Sequence, residues 1–276
     1  MPATRFEIPA LGGSLIGGIQ YSAEKYDYGI RLFLVDNLEK SFDDILSHRI
    51  QNVLFLSLSD ECCRYAADFC RAHGLRLVFV DTRGYGGFPG VMMDHFQSVH
   101  DLTAYLISLG HRNIGYICSP HRIFLNAERH RGYTEAMLGA GIEPRPEWQT
   151  CGEYPNADGI RKLLANRSRT RLTALAACGA IWLADAMRAA EEFGIDYPAE
   201  LSMGCLADDT EASLTAIRLT HIHVSEPKTA ENAVSLLLRG QCGVRPNKEN
   251  TYLIKSELVI LDSTFKNIKR KKERRT

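Results

Sequence analysis

Two adjacent carboxylates, Asp208 and Asp209, are the residues of this sequence best placed for acid–base chemistry. They follow an apolar run at residues 201–206 that is typical of a buried strand. No histidine or serine stands near them in the sequence at a spacing typical of a catalytic pair. Adjacent acids after a strand can also cap a helix or accept hydrogen bonds from a ligand. The GxxxxGK[ST], GxGxxG and GxSxG motifs are absent. The sequence therefore predicts no catalytic residues and no cofactor, and we interpret the protein as a non-enzyme.

Histidine and cysteine provide the other candidate ligands and nucleophiles. His221 and His223 stand two residues apart on a predicted strand and would point to the same face. Two imidazoles alone do not make a metal site, so we predict no metal. The eight cysteines include no C-x-x-C pair, and a chain of 276 residues needs no disulfides to hold its core together. We interpret them as buried thiols in a reducing compartment.

Charge and hydropathy restrict the partners. The chain has 33 basic and 33 acidic side chains, but residues 266–276 hold seven Lys or Arg against one Glu. The remainder, with 26 basic and 32 acidic residues, repels a phosphate backbone, so only this basic tail would attract nucleic acid. We interpret the tail as a solvated, disordered end. With no apolar run near the ~20 residues of a membrane span and no secretory signal, we expect a cytoplasmic protein without membrane contact.

Short apolar runs alternate with amphipathic helical patterns along nearly the whole chain. Runs of this kind predict strands buried on both faces of a parallel sheet. The predicted strands are residues 31–35, 52–56, 75–80, 113–118, 172–176, 201–206, 221–224 and a last strand pair between residues 252 and 261. Strict alternation predicts an α/β fold with right-handed crossovers. The predicted strand–helix units are too many for one open sheet. The sequence therefore predicts either two doubly wound lobes or a barrel.

One stretch carries a more specific pattern. The segment LGHRNIGYI at residues 109–117 precedes a loop with Pro120 and then a helix with RHRGYTEAM at residues 129–137. This arrangement resembles the lactose-repressor/galactose-repressor family of bacterial transcription regulators, in which similar segments follow one another at this spacing. Further similar segments, in the family's order, are RIQNVLFL at 49–56, LVFVD at 77–81, TALAA at 173–177, FGIDYPAELS at 193–202 and LTHI at 219–222.

The resemblance implies a periplasmic-binding-protein-like fold of two doubly wound parallel-sheet lobes joined by three crossovers. We assign residues 1–117 and 224–250 to the N-terminal lobe, residues 118–223 and 251–265 to the C-terminal lobe, and residues 266–276 to the basic tail. The resemblance also implies a sugar-like effector in the cleft between the lobes. It further implies a homodimer in which effector binding changes the lobe geometry and so controls attached DNA-binding heads.

The family's helix-turn-helix head is not visible in this chain, because what resembles the first strand of the core follows Met1 within a few residues. We therefore expect DNA to be a partner only through a head that this sequence does not show. The sequence does not name the effector or the operator, and it leaves open whether the regulator represses or activates.

The resemblance places the effector site around Arg129, which stands where the family has the arginine that holds the effector. A guanidinium suits bidentate contact with hydroxyls or carboxylates. The alternative role for Arg129 is a surface charge paired with glutamates of its own helix. Asp94 matches the acid of the family's V-x-x-D-N segment, although His95 replaces the asparagine.

The remaining candidate effector residues depart further from the family pattern. The polar A-N-D motif is replaced by the residues at 178–180. The acid that follows the strand at 201–206 is either Asp208 or Asp209. Phe124 and His121, in and after the loop with Pro120, are expected to supply a stacking face.

Two other functions suit an alternating α/β chain. A solute-binding protein of a sugar transporter would share the fold but would need an export signal, and none is visible in the first residues. An enzyme would rest on Asp208 and Asp209 alone. The sequence thus favours the effector-sensing core of a LacI/GalR-type regulator.

Overall fold

The computed structural model describes residues 11–33, 37–56, 59–120, 123–213 and 215–267. The chain divides into two compact units, and it passes between them three times, as the sequence predicts. Unit 1 consists of residues 1–93 and 225–254, and unit 2 consists of residues 94–224 and 255–276. No helix among the described residues is long and apolar enough to cross a bilayer.

Helices and strands alternate within both units. The described helices are α1 Leu11–Glu24, α2 Leu38–Ser47, α3 Asp60–Ala72, α4 His95–Ser108, α5 Phe124–Gly139, α6 Ala157–Ala165, α7 Arg167–Thr170, α8 Ala180–Glu192, α9 Asp209–Ser213 and α10 Glu226–Arg239. The described strands are β1 Asn52–Leu56, β2 Arg76–Val80, β3 Gly90–Met93, β4 Ile114–Cys118, β5 Gln149–Cys151, β6 Ala174–Ala177, β7 Ser202–Ala207, β8 Thr220–His223, β9 Thr251–Ile254 and β10 Glu257–Val259.

Unit 1 has a parallel sheet in the order β1-β2-β3-β9. Alternate residues of β2 face opposite sides, so Val78 packs with α1 and α10 while Phe79 packs with α2 and α3. Helices α1 and α10 approach closely at Gly18, where an added Cβ would lie 3.0 Å from the Cβ of Ala230. Apolar helix faces thus cover both sides of the sheet, as the apolar strand runs predict.

Unit 1 differs from the sequence-based expectations at two places, and a third expectation lies outside the described residues. Residues 31–33 form no strand, and residues 34 and 35 lie outside the described part. A strand needs a hydrogen-bonded neighbour, and no described strand of the sheet pairs with this run. The strand expected within a few residues of Met1 falls in residues 1–10, which lie outside the described range, and the first described element is helix α1 from Leu11. Finally, the short strand β3 was not predicted.

Unit 2 has a six-stranded sheet in the order β10-β8-β7-β6-β4-β5, parallel except for β10. Tyr116 of β4 stacks on Tyr133 of α5, with ring centroids 4.8 Å apart and planes 9° apart. Gly110, Gly141 and Gly194, which follow helices α4, α5 and α8, all have positive φ, a backbone conformation that glycine adopts without strain. Strands β4, β6, β7 and β8 begin and end within a few residues of their predicted limits, whereas the short strand β5 was not predicted.

The predicted lobe boundaries need correction. Residues 94–117 belong to unit 2, because β4 pairs with β5 and β6 and α4 packs against α5. Strand β9 belongs to unit 1, since it pairs in parallel with β3, whereas β10 pairs antiparallel with β8. The predicted final strand pair is therefore two strands in different sheets. Of the basic tail, Asn267 donates its backbone N–H to the Leu109 carbonyl at 2.8 Å, and residues 268–276 lie outside the described range.

Two cysteines also differ from the prediction. Cys118 of β4 and Cys151 of β5 are opposite each other in the parallel register, with Cα atoms 4.7 Å apart, and form a disulfide. Sequence alone did not show this register. The other six cysteines form no disulfide, and burial raises the pKa of Cys63 to about 12 and that of Cys70 to about 11. Four of them are buried as predicted, whereas Cys62 and Cys242 are partly exposed.

Candidate effector site of unit 2

The connectivity of the unit 2 sheet marks one edge as a place for a ligand. From β4 the chain passes to β5 on one side and then returns to β6 on the other side of β4. This reversal creates a switch point between β4 and β6, and the crevice beyond the carboxyl ends of two such strands is the usual ligand site of an open α/β sheet. The residues that follow β4 and β6 are therefore the first to inspect.

Arg129, the central residue of the predicted site, lies half-buried on α5, the helix that follows β4. Its Nε donates a hydrogen bond to Nδ1 of His95 at 3.1 Å. Because arginine is always a donor, His95 accepts through Nδ1 and holds the guanidinium in a fixed orientation. The Nη1 and Nη2 groups remain as a pair of donors suited to two adjacent oxygens.

The alternative role for Arg129, pairing with glutamates of its own helix, belongs instead to Arg131. The guanidinium of Arg131 lies 2.6 Å from Glu128 and 3.1 Å from Glu135, and it stacks over the Phe96 ring at 4.0 Å. Within the described part of the chain, no carboxylate lies within 4.0 Å of the Arg129 guanidinium. A half-buried cation without an anionic partner is a feature that functional sites often show.

Two buried groups lie close enough to Arg129 to respond to its charge. Burial raises the pKa of Tyr116 well above its usual value, and the positive charge of Arg129 opposes this shift. Burial also raises the pKa of the Cys178 thiol, opposed by Arg129 and by hydrogen bonds from Ser119. Cys178 follows β6, so these residues bring both sides of the switch point together. Among the described residues, the buried Tyr116 hydroxyl has no hydrogen-bond partner.

The three predicted acids have local bonds of different kinds. Asp94 caps α4, since its Oδ1 accepts from the backbone N–H of Gln97 at 2.9 Å. Asp208 forms a reciprocal cap with Glu211: its Oδ1 accepts from the Glu211 N–H at 2.7 Å, and its own N–H donates to Glu211 Oε2 at 3.3 Å. Asp209 is exposed and lies beside two histidines, of which His223 contributes most to lowering its pKa.

The last two predicted residues belong to the loop after β4 and the start of α5. Phe124 is the first residue of α5 and is partly buried. His121 lies outside the described residues. The proposed stacking face therefore remains a prediction.

Sequence reasoning noted His95 only as a replacement and gave no role to Tyr116. The signal that points to His95 is its place directly after Asp94, which puts it in the first turn of α4. The signal that points to Tyr116 is its place near the carboxyl end of β4. Neither position could be connected with Arg129 before the packing of α4 on α5 was known.

Comparison with known proteins gives the same family over most of the chain. Residues 13–158 match the family of periplasmic binding proteins and sugar binding domains of the LacI family, and residues 103–264 match the periplasmic binding protein-like domain. The chain belongs to the LacI-type family of periplasmic-binding-protein-like domains. The resemblance described from the sequence motifs is thereby confirmed.

Relatives of this LacI-type domain include the HTH-type transcriptional repressor PurR of two bacteria. The Haemophilus influenzae (strain PittEE) protein is 30% identical over 234 residues, which are 80% of this chain and 68% of the relative. The Pasteurella multocida (strain Pm70) protein is 26% identical over 226 residues, which are 77% of this chain and 66% of the relative. The chain thus spans about two thirds of the length of these repressors.

Solved structures confirm the LacI-type fold. A LacI-family regulatory protein from Chloroflexus aggregans superposes with a TM-score of 0.79 at 19% identity, covering 96% of both chains. The transcriptional regulator CelR in complex with cellobiose superposes with a TM-score of 0.77 at 20% identity, covering 91% of this chain and 78% of CelR. At these identities the likeness shows the fold alone.

Proposed function

We propose that this chain is the effector-sensing core of a cytoplasmic LacI/GalR-type transcription regulator, binding a sugar or related metabolite around Arg129. The observation that carries the proposal is a half-buried guanidinium, oriented by His95 and free of carboxylate partners among the described residues, next to the switch point of the unit 2 sheet. Paired hydroxyls or a carboxylate of an effector would supply the oxygens that its two Nη groups lack.

The relatives support the regulatory part of the proposal. PurR is an HTH-type repressor, and CelR is a regulator bound to cellobiose. The proposal therefore assigns DNA recognition to a helix-turn-helix head and ligand sensing to the present chain. In this proposal the sensing core acts as a homodimer. Effector binding changes DNA affinity only if the effector has different affinities for two conformations of the core.

A solute-binding protein of a sugar transporter is not favoured. Its fold is the same, but the relatives described above are transcriptional regulators. An enzymatic role is not favoured either, because these relatives are transcriptional regulators and Asp208, one of the two acids on which it would rest, caps a helix.

The first experiment is a thermal-shift screen of the folded chain with cellobiose, other mono- and disaccharides, nucleosides and related metabolites. A ligand at a hundred times its dissociation constant stabilises the folded protein by about 2.7 kcal/mol. We expect at least one compound to raise the melting temperature. If none does so while the protein is folded, the sensing role is wrong.

A further inference from the structure

Three possible metal ligands meet at the carboxyl ends of β7 and β8. His221 and His223 lie on the same side of β8, and Asp209 opens the short helix that follows β7. In the sheet register Ala207 is opposite His223, so the turn after β7 returns the Asp209 carboxylate over the end of β8. The two histidines belong to β8, and Asp209 follows the adjacent strand β7 by two residues, so the sheet positions all three backbones relative to one another.

The separations of the ligand atoms match those around a metal ion. Oδ1 of Asp209 lies 3.4 Å from Nε2 of His221 and 3.1 Å from Nδ1 of His223. One possible ligand atom of each of the three residues lies within 4.8 Å of the other two. Ligands about 2.0–2.1 Å from a tetrahedral zinc ion are about 3.3 Å apart. The two contacts of Asp209 already have this spacing, and the partly exposed His223 ring has room to turn toward the ion.

The tautomer of His221 leaves a lone pair directed at the carboxylate. Its Nδ1 lies 2.8 Å from the carbonyl oxygen of Leu219, and a carbonyl only accepts hydrogen bonds. Nδ1 therefore carries a proton. In this tautomer of the neutral ring, Nε2 directs its lone pair at Asp209 Oδ1, so a metal ion can bind both atoms. An imidazole fixed by a bond from its other nitrogen to a carbonyl is the usual arrangement of a metal-binding histidine.

We propose that Asp209, His221 and His223 bind a divalent transition metal of the zinc type. Two imidazole nitrogens and one carboxylate oxygen suit zinc, cobalt or nickel better than calcium or magnesium, which prefer oxygen ligands alone. Three protein ligands leave at least one coordination position for water or for an oxygen of a bound small molecule. The ion can enter from solvent beside Asp209, whose side chain is 75% exposed. It would then contact the buried His221 on the inner side of the site.

The proposal is independent of the effector proposal, and it is tested with zinc ions alone. The full chain is treated with a chelator, and Zn²⁺ binding is then measured by equilibrium dialysis. We expect one bound zinc per chain, and we expect Asp209→Asn and His223→Ala each to weaken binding at least tenfold. Both residues are partly or fully exposed, so these variants keep the fold, which circular dichroism verifies. His73→Ala, which removes an exposed histidine of unit 1, is the matched control and should bind zinc as the unchanged chain does.

A cobalt titration separates this site from the thiols. Cys62 and Cys242 are partly exposed free thiols that also bind soft metals. Co²⁺ bound by two histidines and a carboxylate gives visible d–d absorption without a thiolate charge-transfer band, and this absorption should disappear in Asp209→Asn. The proposal is overturned if the chain binds no zinc. It is equally overturned if Asp209→Asn and His223→Ala bind as tightly as the unchanged chain, since the cluster would then be only an ion pair.

Discussion

The buried His111 makes the stability of unit 2 depend on pH. Its Nε2 lies 3.2 Å from the Phe265 carbonyl, which only accepts, so this nitrogen carries the proton of the neutral ring. Nδ1 then accepts from the Thr173 hydroxyl at 2.9 Å. Nε2 also lies 2.9 Å from the Ser202 hydroxyl, so the neutral ring has partners at both nitrogens. Burial lowers the pKa of His111, because an imidazolium would lose its hydration.

The sign and size of the effect follow from proton linkage. In the unfolded chain a histidine titrates near pH 6.5, whereas folded His111 titrates lower. Between these two pH values the unfolded state binds more protons, so the free energy of unfolding decreases as the pH falls below about 6.5. The loss reaches at most about 1.4 kcal/mol per pH unit, and it stops below the folded pKa. Above about pH 6.5 this contribution is constant.

Urea unfolding between pH 8 and pH 5 measures this dependence, with His111→Gln as the comparison. Glutamine retains one donor and one acceptor but does not titrate. Trp148 and Trp182, the two tryptophans of the chain, both lie in unit 2, so their fluorescence reports on the unfolding of this unit. Other titrating groups contribute equally to the free energy of unfolding of both proteins. Their contributions therefore cancel when the two pH profiles are subtracted. Equal pH slopes below pH 6.5 in the two proteins would mean that His111 has the same pKa in the folded and unfolded states.

Two further predictions concern the packing and the covalent structure of unit 2. Gly132→Ala should destabilise the protein by about 1–3 kcal/mol in urea unfolding, because the new Cβ would lie 2.3 Å from the Phe96 carbonyl oxygen. Gly139→Ala on the same helix meets nothing within 4 Å and should instead stabilise by up to about 1 kcal/mol; equal effects of the two would contradict this packing. The disulfide between Cys118 and Cys151 encloses a separation of 33 residues, so reduction or Cys151→Ser should lower stability by about 4 kcal/mol. An unchanged melting curve after reduction would mean that the two thiols are not bonded.

Most strands could be predicted from the sequence because burial on both faces leaves a continuous apolar run. The runs that became β2, β4 and β7 show this directly, since nearly all of their residues are buried. The run at 31–35 is similarly apolar. Whether such a run forms a strand depends on a neighbouring strand that can pair with it, and the composition of the run does not show this. Strands β3 and β5 were missed: β3 begins at the last glycine of the glycine-rich stretch 84–90, and β5 has only three residues.

The candidate site could be predicted in part. Arg129 was predicted through a motif. In the structure it bonds to His95, while Arg131 forms the ion pairs with the glutamates of the same helix. The distinction between Asp208 and Asp209 depends on where α9 begins, and sequence patterns do not fix helix ends to one residue. The meeting of Asp209 with His221 and His223 depends on the register of β7 and β8, which two isolated histidines do not reveal.

The most direct test of the account is the affinity of Arg129→Met for the effector that the screen identifies, measured by isothermal titration calorimetry. Arg131→Met provides the control, because it removes an arginine of the same helix that is already engaged with Glu128 and Glu135. Losing a bidentate charged contact costs about 3 kcal/mol or more, which corresponds to at least a hundredfold loss of affinity. The account predicts that loss for Arg129→Met and less than a threefold change for Arg131→Met. Unchanged affinity in Arg129→Met would contradict the account, because the guanidinium would then have no role in holding the effector.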